Sequence, residues 1–337
     1  MAAGGSKLVV YSAIVANTIV MIAKFIGFFA TGSGAMLSEG IHSCADVGNQ
    51  ALLAVGMKRG THAADKEHPF GFGREAFVWA LISATGIFFL GAGVTLTHGI
   101  QSLMEGGHVD ESGGSLNIII LIIALVAEGI PLGIAIKSLH TTAKHRHESF
   151  FSHVKNTDDP FSVAVLLEDS AAILGVIIAL AAVGLTQLTQ NGVWDALGSI
   201  LIGCLLGLVA LFLIAKNRDL LIGKAIHPAD RERLRKIFEE DPAIEKVAAS
   251  STAVTGAGSY RISAELDFDG RYLAGKYIEK REVAEILGRL DSPAALEEFL
   301  GEYSEAVMEL VGDEVDRLEK KIRHELPKAK RIDLEPD

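Results

Sequence analysis

Six stretches of this 337-residue chain are apolar enough, and long enough, to cross a bilayer as helices. Crossing a hydrocarbon core of about 30 Å takes about 20 apolar residues, and the stretches lie near 8–30, 36–57, 76–100, 116–136, 162–184 and 194–215. Lipid offers backbone N–H and C=O groups no partners, so runs of this kind fold as helices. An even number of spans puts both termini on one side. The linkers 31–35, 101–115 and 185–193 contain neither Lys nor Arg, whereas linker 58–75 holds Lys58, Arg59, Lys66 and Arg74, and linker 137–161 holds Lys137, Lys144, Arg146 and Lys155. By the positive-inside rule those two linkers and both termini are cytoplasmic.

After about residue 216 the chain turns charged and reads as an ordinary soluble domain. The expectation is therefore an α-helical polytopic membrane domain with six transmembrane helices over 1–216, followed by a small cytoplasmic α+β domain over 217–337. The net charge of −11 argues against a nucleic-acid partner and suits a chain that attracts cations. The first apolar run is too long for a signal-peptide core and reads as a retained helix. Cys44 and Cys204 both lie inside apolar runs, where a disulfide is not expected.

Ionisable residues inside spans are costly and so mark function. In the second span Glu39, His42, Asp46 and Asn49 recur every three or four residues, on one helical face. An imidazole and a carboxylate four apart can share a metal ion at bond lengths of about 2 Å. At about 1.5 Å of rise per residue, Asp46 lies roughly 15 Å from the outer end of its span and Asp169, in the fifth span, roughly 13 Å from the cytoplasmic end. His42, Asp46 and Asp169, with Glu168 as a fourth, form a candidate tetrahedral site for a divalent metal. The plainer alternative is that they only lock the bundle by interhelical hydrogen bonds. Adjacent helical residues diverge by about 100°, so only one of Glu168 and Asp169 is expected to face His42 squarely.

Glu39, Asn49 and Glu128 are candidates for a place beside the ion or along its path. Glu128, just before Pro131, can equally be a structural partner, and Lys24 either snorkels to the interface or pairs with an acid. Cys44 lies off the His42 face and groups with Gly40 and Gly48 as a ridge of small residues for helix packing.

These features resemble the cation diffusion facilitator family. The resemblance rests on TGSGAMLSEGIHSCAD entering the second span, HPFGFGREA entering the third, WDALGSILIG in the sixth, and a charged C-terminal domain. LLEDSAAILG and the DFDGR segment look closest to the branch with the animal mitochondrial zinc transporter. The resemblance implies export of a divalent metal, zinc first, in exchange for protons, by a homodimer joined through the C-terminal domain. The family's second pair of ligands in the fifth span is met here only at Asp169, because Val165 stands where the other ligand would be and Glu168 is the substitute. A second metal site in the loop between spans two and three is matched at Asp65 and His68, while Phe72 occupies its third position. A turn built by HPFGFG is the alternative there.

In the linker 137–161, His140, His145, His147 and His153 show no tight ligand spacing and read as a solvated loop. In the tail, a helix begins at PADRERLRKIFEED, KVAASSTAV and SYRISAELDFDG alternate as strands, a charged helical stretch reaches about 323, and KRIDLEP is a last strand. Residues 270–300 look like an insertion, and His227 and His324 read as surface histidines.

The metal is cargo, with no resident cofactor and no enzymatic activity. The expected partners are divalent ions, protons and the lipid bilayer, and the expected location is the inner membrane of a prokaryote. Manganese, iron or cobalt is the alternative cargo, since an oxygen-rich ligand set suits them. A membrane metalloenzyme and a non-transporting scaffold are the alternatives of a different class.

Overall fold

A computed structural model describes the backbone of residues 2–31, 34–105, 114–279 and 281–337. It describes the side chains of these residues except 2–4, 28, 30, 31, 34–42, 114–121, 124 and 183. Residues 32–33 and 106–113, within the linkers proposed at 31–35 and 101–115, thus lie outside the described residues. The chain forms two compact units, Met1–Ile222 with Gly256–Gly258, and Gly223–Thr255 with Ser259–Asp337.

The first unit is helical: α1 (Ala2–Thr31), α2 (Gly34–Arg59), α3 (Glu75–Gly86), a π-helical segment (Ile87–Gly93), α4 (Val94–Met104), α5 (Gly114–His145), α6 (Phe150–Asn156), α7 (Pro160–Thr189) and α8 (Val193–Ile222). Four stretches are long and apolar enough to cross a membrane among the described residues: Gly5–Gly27, Glu75–Met104, Pro160–Thr189 and Val193–Ile222. The π-helical segment joins α3 to α4 without a break, so the third apolar run is one rod with one wide turn. Such turns cluster at functional sites.

α1 shows how these helices are sided. Leu8, Tyr11, Val15, Ile19, Ile22 and Ile26 are exposed at helical spacing, while Val9, Ala13, Asn17, Val20 and Lys24 are buried. A large apolar face turned outward and polar groups turned inward is the reverse of a water-soluble helix, and it suits lipid as solvent. α1 packs on α2 and α5, α7 on α5 and α8, and α8 on α3, the π-helical segment and α4.

Two glycines of the WDALGSILIG string make that packing possible. A Cβ on Gly198 would lie 2.6 Å from the Cβ of Ala182, and one on Gly203 would lie 2.7 Å from Cγ of Leu96, both closer than atoms tolerate. Gly48, by contrast, has nothing within 4 Å of such a Cβ, and Cys44 is exposed with Sγ 3.3 Å from Met21 Sδ. The expected small-residue ridge is therefore not a tight contact at Gly48, which lines a cavity instead.

The polar ends of the helices are fastened by side chains. Asp159 caps α7, accepting from the N–H groups of Phe161 at 3.1 Å and Ser162 at 3.2 Å, with Pro160 in the first turn. Ser6 of α1 donates to its other carboxylate oxygen at 2.6 Å. Lys216 of α8 is buried and donates to the carbonyls of Val154, Lys155 and Thr157 at the C-terminal end of α6, where orphan carbonyls and the helix dipole favour a cation. Linker 137–161 is thus mostly helix rather than solvated loop. His140, His145 and His147 are exposed, but His153 is buried beside Glu148, with Nδ1 3.7 Å from Oε2.

The second unit contains α9 (Pro228–Glu239), β1 (Ile244–Gly256), β2 (Ser259–Phe268), α10 (Gly270–Glu279), α11 (Val283–Arg289), α12 (Pro293–Glu325) and β3 (Ala329–Pro336). The sheet order is β1-β2-β3, with β2 and β3 parallel. Alternate residues Tyr260, Ile262, Ala264 and Leu266 of β2 are buried, as the two-residue period of a strand requires. Ile262, Ala264 and Leu266 pack with Leu234, Ile237 and Phe238 of α9 and Leu318 and Ile322 of α12, each large side chain contributing about 1.5–3 kcal/mol on burial. Residues 270–300 form α10, α11 and the start of α12. His227 is buried, not a surface histidine: its Nδ1 accepts from Ala229 N–H and caps α9. His324 is exposed beside Glu325.

A buried ionic network braces this core. Asp241, with 1% of its side chain exposed, accepts from Arg317 and Lys321, each at 3.0 Å, while Glu314 accepts from Arg317 and Lys276. Burial alone would raise both carboxyls, but these hydrogen bonds outweigh it and hold both below their ordinary values. Their contribution to stability is therefore full above the ordinary values of 3.8 and 4.5 and is lost as the pH falls below them. Arg317→Met leaves Asp241 buried with Lys321 alone and should cost about 2 kcal/mol, less than for a fully buried pair because the guanidinium is partly solvated. Hydrogen exchange of the full chain should show faster exchange in Ile244–Phe268 and Ala329–Pro336 at neutral pH, with the difference from the unmutated chain shrinking in acid.

Candidate metal site

A cavity of about 490 Å³ lies inside the helical unit, and Asp46 and Asn49 of α2, Glu128 of α5, and Glu168 and Asp169 of α7 all line it. Gly86 of α3 and Ile87, Leu90 and Gly91 of the π-helical segment complete one wall. Three separate helices therefore bring carboxylates to one space. Asn49, Glu128, Glu168 and Asp169 are buried, at 7%, 8%, 8% and 2% exposure.

Asn49 Nδ2 donates to Glu168 Oε1 at 3.2 Å, which ties α2 to α7 at the level of the acids. Ser83 of α3 in turn reaches the Asn49 carbonyl at 3.5 Å. Glu168 Oε2 and Asp169 Oδ2 are buried and have no hydrogen-bond partner among the described residues. A buried carboxylate oxygen without a donor is expensive, and a cation or a proton in the cavity would satisfy it.

Glu168 and Asp169 both line the cavity, although adjacent positions on one helix were expected to leave one of them turned aside. The reason is the breadth of the cavity, which wraps around α7 past Ala171, Ala172 and Gly175, where small side chains leave room. Val165, fully buried, lines no part of it. Glu39 and His42 have side chains outside the described residues. Among the described residues, no group of three His, Cys, Asp or Glu is close enough to clasp one ion.

Asp65 and His68 lie elsewhere, exposed in the loop after α2. Asp65 Oδ1 accepts from the N–H groups of His68 at 2.6 Å and Glu67 at 3.0 Å, and the His68 ring packs at a tilt against Phe72 with centroids 4.4 Å apart. The His68 amide holds the Asp65 carboxyl below its usual range. The pair is thus engaged in a local turn that ends at Gly71, whose φ of 75° suits glycine.

Two residues that line the cavity from α1 are Asn17 and Lys24. The sequence drew notice to Lys24 only as a buried charge and to Asn17 not at all. Their spacing of seven places them on one face, a signal that was present in the string.

The match to the cation efflux transmembrane domain runs over residues 10–222. The chain belongs to the cation efflux, or cation diffusion facilitator, family. It is 38% identical over 334 residues to a protein of Homo sapiens named proton-coupled zinc antiporter SLC30A9, mitochondrial, covering 98% of this chain and 58% of that one. It is 35% identical over 336 residues to metal tolerance protein C4 of Arabidopsis thaliana, covering 98% and 73%. With the magnetosome protein MamM of Paramagnetospirillum magneticum it shares 28% identity over 155 residues, covering 42% and 46%. The chain thus spans 58% of the length of the human relative, and among these family members it stands near the SLC30A9 branch. The expected location in a prokaryotic inner membrane is not borne out, since the animal relatives carry mitochondrial names.

Asn49→Leu removes the amide that donates to Glu168 while keeping the volume near that of the amide. Zinc, added as a probe of the cavity, should bind about tenfold more weakly than to the unmutated chain in a chelator-competition titration, the scale of one lost hydrogen bond to a charged group.

Proposed function

We propose that this cation efflux protein exports a divalent metal, zinc first, through the carboxylate-lined cavity, and takes up protons in exchange. The observation that carries this reading is the meeting of Asp46, Glu128, Glu168 and Asp169 in one cavity of a membrane unit. Asp46, Asp169 and Glu168, with His42 from the same face of α2, are the proposed ligands. Glu39, Asn49 and Glu128 orient them or line the ion's path. The zinc antiporter name of the human relative supports zinc. Asp65 and His68 remain a proposed second site only if metal replaces their turn contacts.

The proposed topology has six spans, with α2 and α5 added to the four strongly apolar ones, and both termini in the compartment that holds the Lys- and Arg-rich linkers. Residues 1–216 then transport, and residues 217–337 dimerise and regulate, giving a homodimer whose partner supports the moving helices.

Metal ligands bind when deprotonated, so protons arriving from the far side displace the ion, and metal leaving frees carboxylates to accept protons. That competition couples the two fluxes without a further site. The metal is cargo throughout and no covalent chemistry is required of the protein. A second cargo, manganese, is favoured by the oxygen-rich lining, because carboxylates suit harder ions.

Proteoliposomes of the full chain, given zinc, manganese, cobalt or iron(II) with and without a pH gradient, test the reading. Asp46→Asn and Asp169→Asn should each lower zinc flux by about 100-fold, the scale expected when a charged ligand is lost. Unmutated rates in both variants would remove the site, and flux indifferent to the gradient would remove the exchange.

A further inference from the structure

We infer that Gln50 and Ser162 line the route by which the metal reaches the carboxylate cavity, and that the helices around them close this route in the structure. This rests on the export reading above and adds residues that are not ligands. The Ser6 to Asp159 hydrogen bond joins the starts of α1 and α7. α1 and α2 pack together with only two residues between them, so they run antiparallel and the Arg59 end of α2 lies with the Pro160 end of α7. Linkers 58–75 and 137–161 are at this end, the side from which the metal is proposed to come.

From Glu168 the cavity's lining on α7 runs away from that end, past Ala171 and Gly175 to Ala179. Toward that end, residues 161–166 are buried, none more than 6% exposed, and line no part of the cavity. Phe77, Ala80 and Ala84 of α3 are likewise buried and outside the lining. About 9 Å of close-packed helix therefore separates the acids from the linker side. That barrier is not apolar throughout. Gln50, 0% exposed, lies one turn beyond Asp46 toward Arg59, and neither its Nε2 nor its Oε1 has a hydrogen-bond partner among the described residues. Ser162 is also 0% exposed with its Oγ in the same condition, and its place seven residues before Asp169 puts it on the Asp169 face of α7.

Burying an amide without partners costs more than burying an alkyl chain of the same size, so a barrier that only had to stay shut would have no use for Gln50. Both groups gain partners when the helices part and water or a hydrated ion passes between them. Their cost in the shut form thus lowers the work of opening it. A neutral carboxamide oxygen can also stand in for one water as the ion sheds its hydration, without a charge that would hold the ion short of the acids. A glutamine kept only for packing would act differently. Its loss would loosen the helices, and flux would fall together with stability.

The test is zinc flux in proteoliposomes of the full chain, paired with thermal unfolding of the purified protein. Gln50→Leu removes the amide at similar volume, so the chain should melt about 2–4 °C higher, while zinc flux falls about tenfold, the scale of one buried polar group relieved of its cost. Unmutated flux in this variant, or a melting temperature that does not rise, overturns the inference while leaving export intact. Should the variant fail to purify, Ser162→Cys decides, in a chain that also carries Cys44→Ala and Cys204→Ala. A water-soluble thiol reagent should label it several-fold faster during zinc turnover than without zinc, and an unchanged rate overturns the inference. An unmutated chain that moves no divalent ion overturns the export reading and this one together.

Discussion

Charge inside an apolar bundle must be met by other protein groups or by a cargo, and the helical unit is organised around that constraint. Lipid cannot solvate Asp46, Glu128, Glu168, Asp169 or Lys24, so each turns inward, and they meet at one cavity. The outward faces are correspondingly apolar, as α1 displays from Leu8 to Ile26. Close approach of the surrounding helices, at Gly198 on Ala182 and Gly203 on Leu96, holds the wall around the polar centre. Small side chains play two opposite parts here. At α8 they allow contact, and at Gly48 and Gly175 they line the cavity.

The departure from the family pattern at Val165 has a structural counterpart. Val165 is packed away from the cavity, and Glu168, three residues on, lines it and accepts from Asn49.

The C-terminal unit depends on a different balance. Its core is ordinary, with β2, α9 and α12 interlocking apolar residues in water. Around that core, Asp241 and Glu314 are buried only because Arg317, Lys321 and Lys276 surround them. The cationic partners stand partly in solvent, so the network is sensitive to acid and to loss of a single arginine.

Much of this was legible in the string. The apolar runs, the Lys and Arg bias and the spacing of Asp46 and Asn49 follow from local periodicity and from the cost of charge in lipid, both of which act along a single helix. So do the alternation of β2 and the helix that begins at PADRERLRKIFEED. What lay beyond it depends on neighbours distant in sequence. That Glu168 and Asp169 share the cavity, that Glu128 joins them, and that Asp65 serves a turn could be read only once the helices and loops were assembled. The same holds for His153 and His227, whose burial no local pattern signals. The sequence determined which residues cannot face lipid, because that is a property of each helix alone. Tertiary structure decided which of them meet, because the space between helices is shaped by side chains from several elements at once.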